Sequence, residues 1–369
     1  MKIPDELITL SRYFGKPDYV IAGGGNTSYK KDDRLWIKAS GVSLDGIDEG
    51  GFVCLRRSEL DKISSNRYSD DPSVREQQIK SDLLKARTGN TNKRPSVETS
   101  LHNLIDFPWV VHTHPTSVNA LLCSKDAEYV TEEIFGSKVL FLDYVNPGYE
   151  LFKYAEKKID GYSELYGMQP DIIFLRNHGL IVAGSVEGDI YSKTGQVIQS
   201  VEKRFKSKLP STEEYSHGAG GYVLLGRLEK YLENLDLVPL FRNNELIQSF
   251  IGEEEYFKKS ARPFTPDNVV YCKSEYLFSR GGANDLFADI ELFRQEKGHI
   301  PRIIALESRG IVSVTKDRRT AEKIMDIFQD MLKISLLSEN FGGPRFLNDE
   351  QVQFIDNWEA ENYRRSIRY

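Results

Sequence analysis

Two apolar runs, Asp171-Ile172-Ile173-Phe174-Leu175-Arg176 and Leu180-Ile181-Val182-Ala183-Gly184, are separated by only Asn177-His178-Gly179. Each run reads as a buried strand, and the polar, glycine-containing break between them reads as a reversal, so the spacing predicts an antiparallel pair. The segment has a second copy. Residues 170–179 align without gaps on residues 301–310, and five of the ten positions are identical. Both copies lead into an apolar strand and then an amphipathic helix. A partial internal duplication follows; two similar strand–turn–strand–helix units that arose independently are the alternative. Arg309 stands where His178 stands, so a metal site in the first copy is not expected in the second.

The rest of the chain can be placed around this hairpin. Helices are expected over 5–15, 117–124 and 187–208, and another begins behind Pro147-Gly148. Strands are expected over 35–39, 51–55, 109–114 and 138–142. Residues 61–94 are rich in Ser, Asp, Lys and Asn and read as a solvated excursion. Order resumes at Pro95-Ser96-Val97-Glu98, a helix-start signal followed by the 3–4 spacing of Leu101, Leu104 and Ile105. From 211 to 266 the chain is polar and mixed, with a glycine-rich break at 218–221. The division expected is 1–215, a connecting helical region over 216–264, and a C-terminal α/β unit over 265–369.

Composition excludes several function classes. The 369 residues carry 49 Lys+Arg against 55 Asp+Glu, a net charge of −6, which removes the broad attraction on which sequence-independent nucleic-acid binding depends. No apolar stretch reaches the ~18 residues of a spanning helix, so no membrane partner is expected. The first residues lack the apolar core of a secretory signal. Cys54, Cys123 and Cys272 are odd in number and far apart, which fits buried thiols in a reducing cytoplasm.

Chemistry concentrates in a few of the six histidines. His112 and His114 lie two apart on an expected strand, and side chains two apart share a face, so both can point at one ion. His178 at the hairpin tip is placed to supply a third imidazole. Three neutral imidazoles leave Zn²⁺ an open fourth position. Glu98, in the first turn of its helix, can stay ionised near exposed N–H groups and act as a base. Taken alone, Glu98 is more simply a charge that stabilises its helix or an i,i+4 partner of His102. The cluster Gly23-Gly24-Gly25-Asn26-Thr27-Ser28, together with Ser40-Gly41, offers N–H groups and hydroxyls to an anion. As an isolated feature it is more simply a tight turn.

The order of these pieces resembles the class II aldolase/adducin family. The segments that carry the resemblance are Gly24-Gly25-Asn26-Thr27-Ser28, Ala39-Ser40-Gly41, Pro95-Ser96-Val97-Glu98, His112-Thr113-His114-Pro115 and Asn177-His178-Gly179. They span residues 5–205. The C-terminal part, with Phe264-Thr265-Pro266-Asp267 and Phe341-Gly342-Gly343-Pro344, resembles the region after the aldolase domain in bifunctional rhamnulose-phosphate aldolase/dehydrogenases. The resemblance implies an α/β fold with a central, largely antiparallel sheet flanked by helices. It implies zinc on His112, His114 and His178, Glu98 as catalytic acid/base, and Gly25, Asn26, Ser40, Gly41 and Ser96 around a substrate phosphate. Where some relatives carry a second serine, this chain has Val97, so one phosphate hydrogen bond is lost. Tyr144 is the nearest match to a tyrosine that family members supply from a neighbouring subunit, and a homo-tetramer is implied with it.

The expected function is reversible aldol cleavage of a ketose 1-phosphate, a small-molecule sugar phosphate, to dihydroxyacetone phosphate and an aldehyde. A sugar-phosphate 4-epimerase or dehydratase would use the same metal site, and an adducin-like interaction module would dispense with it.

Overall fold

The computed structural model describes residues 3–89, 91–215 and 219–358. His217 and Gly218 therefore lie outside the described residues. The chain divides into two compact units, one running to Arg204 and taking in Asn357 and Trp358, the other Phe205–Asp356.

The first unit is built on seven strands: β1 (Asn26–Lys31), β2 (Arg34–Lys38), β3 (Phe52–Arg56), β4 (Trp109–Thr113), β5 (Leu140–Leu142), β6 (Ile172–Leu175) and β7 (Gly179–Gly184). Their order is β3-β2-β1-β4-β7-β6-β5, and every neighbouring pair is antiparallel except β5 with β6. β4 and β7 are central and buried along their whole length. Burial on both faces explains why they read as continuous apolar runs rather than alternating ones. On one face Val110, Ile173, Ile181 and Ala183 pack with Leu151, Ala155 and Ile159 of the helix Tyr149–Tyr166. The helices Thr116–Leu122 and Glu187–Glu202 also pack against β7. The fold is thus α/β with a central, largely antiparallel sheet.

Three local expectations are corrected. Residues 61–94 are not an irregular excursion but hold most of one helix, Arg57–Ser65, and all of a second, Pro72–Ala86, whose Leu60, Ile63, Ile79, Leu83 and Ala86 join the core against β2 and β3. The polar majority of their residues faces water and hides a narrow apolar stripe. The start of the second helix was written in Asp71, whose side chain accepts from the Val74 N–H, and in Pro72 behind it. The helix expected from Pro95 begins only at Thr99, with Glu98 at its N-cap position and without a side-chain capping bond. The helix expected over 187–208 ends at Glu202.

The second unit has four strands, β8 (Val238–Arg242), β9 (Leu277–Ser279), β10 (Ile303–Leu306) and β11 (Gly310–Thr315), in the order β8-β11-β10-β9. The stretch expected to be connecting helix contributes β8 to this sheet, along with the helix Ala219–Glu233. Ile304, Leu306, Val312 and Val314 pack with Leu228, Leu232, Leu286 and Ile290. Cys123 and Cys272 are buried, Cys54 is half-buried, and none of the three is in a disulfide. No helix among the described residues is long and apolar enough to cross a membrane.

Candidate metal centre

Strand β4 carries His112 and stops at Thr113, so His114, expected inside the strand, lies one residue beyond its end but keeps the same side. Their Nε2 atoms are 2.8 Å apart. His178 reaches them from the tip of the β6–β7 hairpin, where Asn177 adopts a left-handed φ of 53° that asparagine tolerates better than most residues. The His178 ring centroid is 4.9 Å from that of His112 and 5.5 Å from that of His114. One ligand nitrogen from each of the three lies within 4.8 Å of the others, the arrangement a single cation needs.

The close approach depends on Gly179. A β-carbon there would fall 2.5 Å from the Thr113 carbonyl oxygen, 2.6 Å from His114 Cδ2 and 3.1 Å from His112 Cε1. Any side chain would push β7 away from the ligand pair. Gly25 has the same function on the other side of β4. Its φ of 69° suits glycine, and an added β-carbon would meet the His112 carbonyl oxygen at 2.8 Å.

Glu98 completes the cluster. Its Oε2 accepts from Asn26 Nδ2. Its Oε1 is buried without a hydrogen bond, 3.3 Å from His178 Nε2 and 3.6 Å from His112 Nε2. Burial pushes the Glu98 pKa up, but His112 and His178 outweigh it and hold the group down at about 2, so it is a carboxylate at neutral pH. Burial also holds the His112 pKa well below the usual imidazole range, which leaves that ring neutral and able to ligate. An unpartnered buried oxygen aimed at three converging imidazole nitrogens fits a divalent cation, since these donors suit zinc and similar metals.

Of the expected anion-binding residues, Ser40 and Ser96 lie on two segments that are bonded to each other. The Ser40 N–H donates to the Arg94 carbonyl, Ala39 bridges to Pro95, and Ser96 Oγ accepts from the Glu98 N–H at 3.2 Å. Lys38 belongs to none of the sequence motifs. It is 3 % exposed, and its Nζ donates to the carbonyls of Gly23 and Val42, tying the glycine cluster to the Ser40-Gly41 turn. A lysine in an otherwise apolar strand beside a glycine loop was the available signal. Thr27 and Ser28, by contrast, turn inward. Thr27 pairs with Ser11 at 2.6 Å, and Ser28 with His102 Nδ1 at 2.8 Å. Tyr144 lies outside these contacts; its hydroxyl is buried without a hydrogen-bond partner, and burial, with Glu150 nearby, pushes its pKa up.

A mixed sheet of this order, with three imidazoles and a carboxylate at one end of its central strands, defines an α/β protein with a group of side chains that could hold a metal ion. The chain belongs to the class II aldolase and adducin family: the model of the Class II Aldolase and Adducin N-terminal domain matches residues 5–200. Among curated proteins, the chain is similar to L-fuculose phosphate aldolase of Methanocaldococcus jannaschii, 26% identical over 51% of this chain and 87% of that protein. It is also similar to the uncharacterized oxidoreductase YuxG of Bacillus subtilis, 26% identical over 98% of this chain. The chain spans 58% of the length of YuxG. Among solved structures, the N-terminal class II aldolase domain of a conserved protein from Thermoplasma acidophilum is 27% identical, with a TM-score of 0.46 over 54% of this chain and 92% of that one.

Proposed function

We propose that the first unit catalyses reversible, zinc-dependent aldol cleavage of a ketose 1-phosphate to dihydroxyacetone phosphate and an aldehyde. The observation that carries this reading is the convergence of His112, His114 and His178, two of which face the unbonded Oε1 of Glu98. The family and the fuculose phosphate aldolase relative support the substrate class.

His112, His114 and His178 would hold the ion, which when bound supplies Lewis-acid stabilisation of the negative charge that C–C cleavage beside a carbonyl creates. In cleavage, the bond between the carbons that become ketone and aldehyde breaks, its electron pair stays on the ketone fragment as an enediolate, and the departing hydroxyl passes its proton to the Glu98 carboxylate, directly or through water, as it becomes the aldehyde. Glu98 returns a proton to the enediolate carbon; in the synthetic direction its carboxylate removes that proton. Asn26 fixes the carboxylate through Oε2, so that Oε1 is the oxygen left to move the proton. Gly25, Asn26, Ser40, Gly41 and Ser96 bind the phosphate, and Tyr144, whose hydroxyl is buried in the single chain, would have to turn outward to donate to the aldehyde oxygen of a second copy in the synthetic direction.

The test is release of dihydroxyacetone phosphate from a panel of ketose 1-phosphates by the zinc-loaded chain. Glu98→Gln should keep the metal and lose turnover by about 10²–10⁴-fold, the usual worth of a positioned acid/base. Full activity in that variant, or no release from any member of the panel by wild type, would overturn the reading.

A further inference from the structure

The second unit repeats the metal-bearing half of the first. Its strands run β8-β11-β10-β9, as those of the first unit run β4-β7-β6-β5. In each the last pair is parallel and the others antiparallel. The register agrees residue by residue. Leu140 opposite Ile173 is matched by Leu277 opposite Ile304, and His112 opposite Ile181 by Phe241 opposite Val312. The turn repeats as well: the Asn177 N–H donates to the Leu122 carbonyl at 3.2 Å and the Ser308 N–H to that of Ile251 at 3.0 Å. Asn177 and Ser308 share a left-handed φ, 53° and 54°. Independent hairpins have no physical reason to share pairing partners, turn bonds and a strained residue at one position. The ten-residue match at 301–310 is therefore the visible part of a four-strand duplication.

This correspondence puts a residue at every ligand position: Phe241 for His112, Asn243 for His114 and Arg309 for His178. The glycine after the hairpin tip shows what fills the ion's place. A β-carbon on Gly310 would meet Phe241 Cζ at 2.4 Å and the Arg242 carbonyl oxygen at 2.8 Å, just as one on Gly179 would meet the His112 ring and the Thr113 carbonyl oxygen. The phenyl ring stands where the imidazole stands and presents carbon in place of nitrogen. Asn243 accepts from Gln248 Nε2 at 2.6 Å, and Arg309 Nη1 donates to the Gly281 carbonyl at 2.7 Å. An apolar ring and a fixed positive charge both exclude a cation.

We propose that Phe205–Asp356 is a second copy of the histidine-bearing half of the first unit and carries a latent divalent-cation site, closed by Phe241 and Arg309 and opened again by three imidazoles. The inference rests on the reading of His112, His114 and His178 as metal ligands. The test is Co²⁺ binding by the full chain, followed by visible absorption and by metal analysis after gel filtration. Wild type should hold one Co²⁺ per chain. The variant with Phe241→His, Asn243→His and Arg309→His should hold two, and one should persist when His112→Ala and His114→Ala are added. Wild type without Co²⁺ would overturn the reading of the first site. Wild type with one and a folded triple variant also with one would overturn the latent site alone. If the triple variant does not fold, the pair Phe241→His and Asn243→His decides the matter: a second, at least tenfold weaker Co²⁺ equivalent supports the proposal, and a folded pair variant without it overturns the proposal.

Discussion

His112 Cε1 lies 3.1 Å from the position that a β-carbon on Gly179 would occupy, so this imidazole is seated against the bare backbone of the neighbouring strand. Gly179→Ala would bring a methyl group within 2.6 Å of His114 Cδ2 as well. The expected cost is about 1–3 kcal/mol of stability, as for other overpacked sites. Metal affinity should fall with it. Thermal unfolding and zinc competition against a chelator would check both, and an unchanged affinity would show that the seat is not needed.

Asn26 is the one side chain that donates a hydrogen bond to Glu98 among the described contacts. Asn26→Leu should leave a buried carboxylate oxygen without its donor, at a cost of about 1–3 kcal/mol. Urea unfolding reads the loss, and turnover should fall with no change in zinc content. A variant as stable and active as wild type would remove Asn26 from the positioning of Glu98.

Lys38 joins two carbonyls, 2.7 Å away at Val42 and 3.3 Å away at Gly23. Lys38→Met keeps the aliphatic stem but lets the two turns separate. The expectation is a raised KM for phosphorylated substrate with a smaller change in kcat, since binding geometry rather than proton transfer is disturbed. Steady-state kinetics on the best substrate of the panel separates the two.

Acid should destabilise the metal-free chain earlier than carboxylates alone would. Burial holds the His102 pKa down to about 3 and that of His112 well below 6.5. Below pH 6.5 the unfolded chain takes up these protons while the native one does not, so stability falls as pH falls. Each such imidazole contributes a slope of about 1.4 kcal/mol per pH unit. Glu98 adds to the loss further down, between 4.5 and about 2. Urea midpoints at pH 7.5, 6.5 and 5.5 should decline, and His102→Gln should flatten the decline.

Removal of the ion should cost stability in proportion to occupancy. At a free zinc concentration 100 times Kd, binding to the native state alone is worth about 2.7 kcal/mol. A chelator should therefore lower Tm, and the drop should vanish in His112→Ala. A Tm indifferent to chelator and metal would mean that the three imidazoles do not hold an ion.

The chemical parts were legible in the sequence because each is local. A strand period of two puts His112 and His114 on one face, and an Asn-His-Gly break forces a turn. The buried strands β4, β6 and β7 announced themselves as apolar runs. The helices Arg57–Ser65 and Pro72–Ala86 did not, because solvent-facing residues outnumber the few that pack, and composition averages over both.

Tertiary structure alone decided which groups meet. Glu98 and Asn26 are 72 residues apart and pair because β1 lies beside β4 and the helix that follows Glu98 starts next to both. His178 reaches His112 because β7 lies beside β4, a close approach that Gly179 permits by having no β-carbon. The extent of the duplication was hidden for a related reason. Strand pairing is made by backbone atoms, which any side chain carries, so Phe241 and Arg309 could replace ligands while the register that placed them stayed the same.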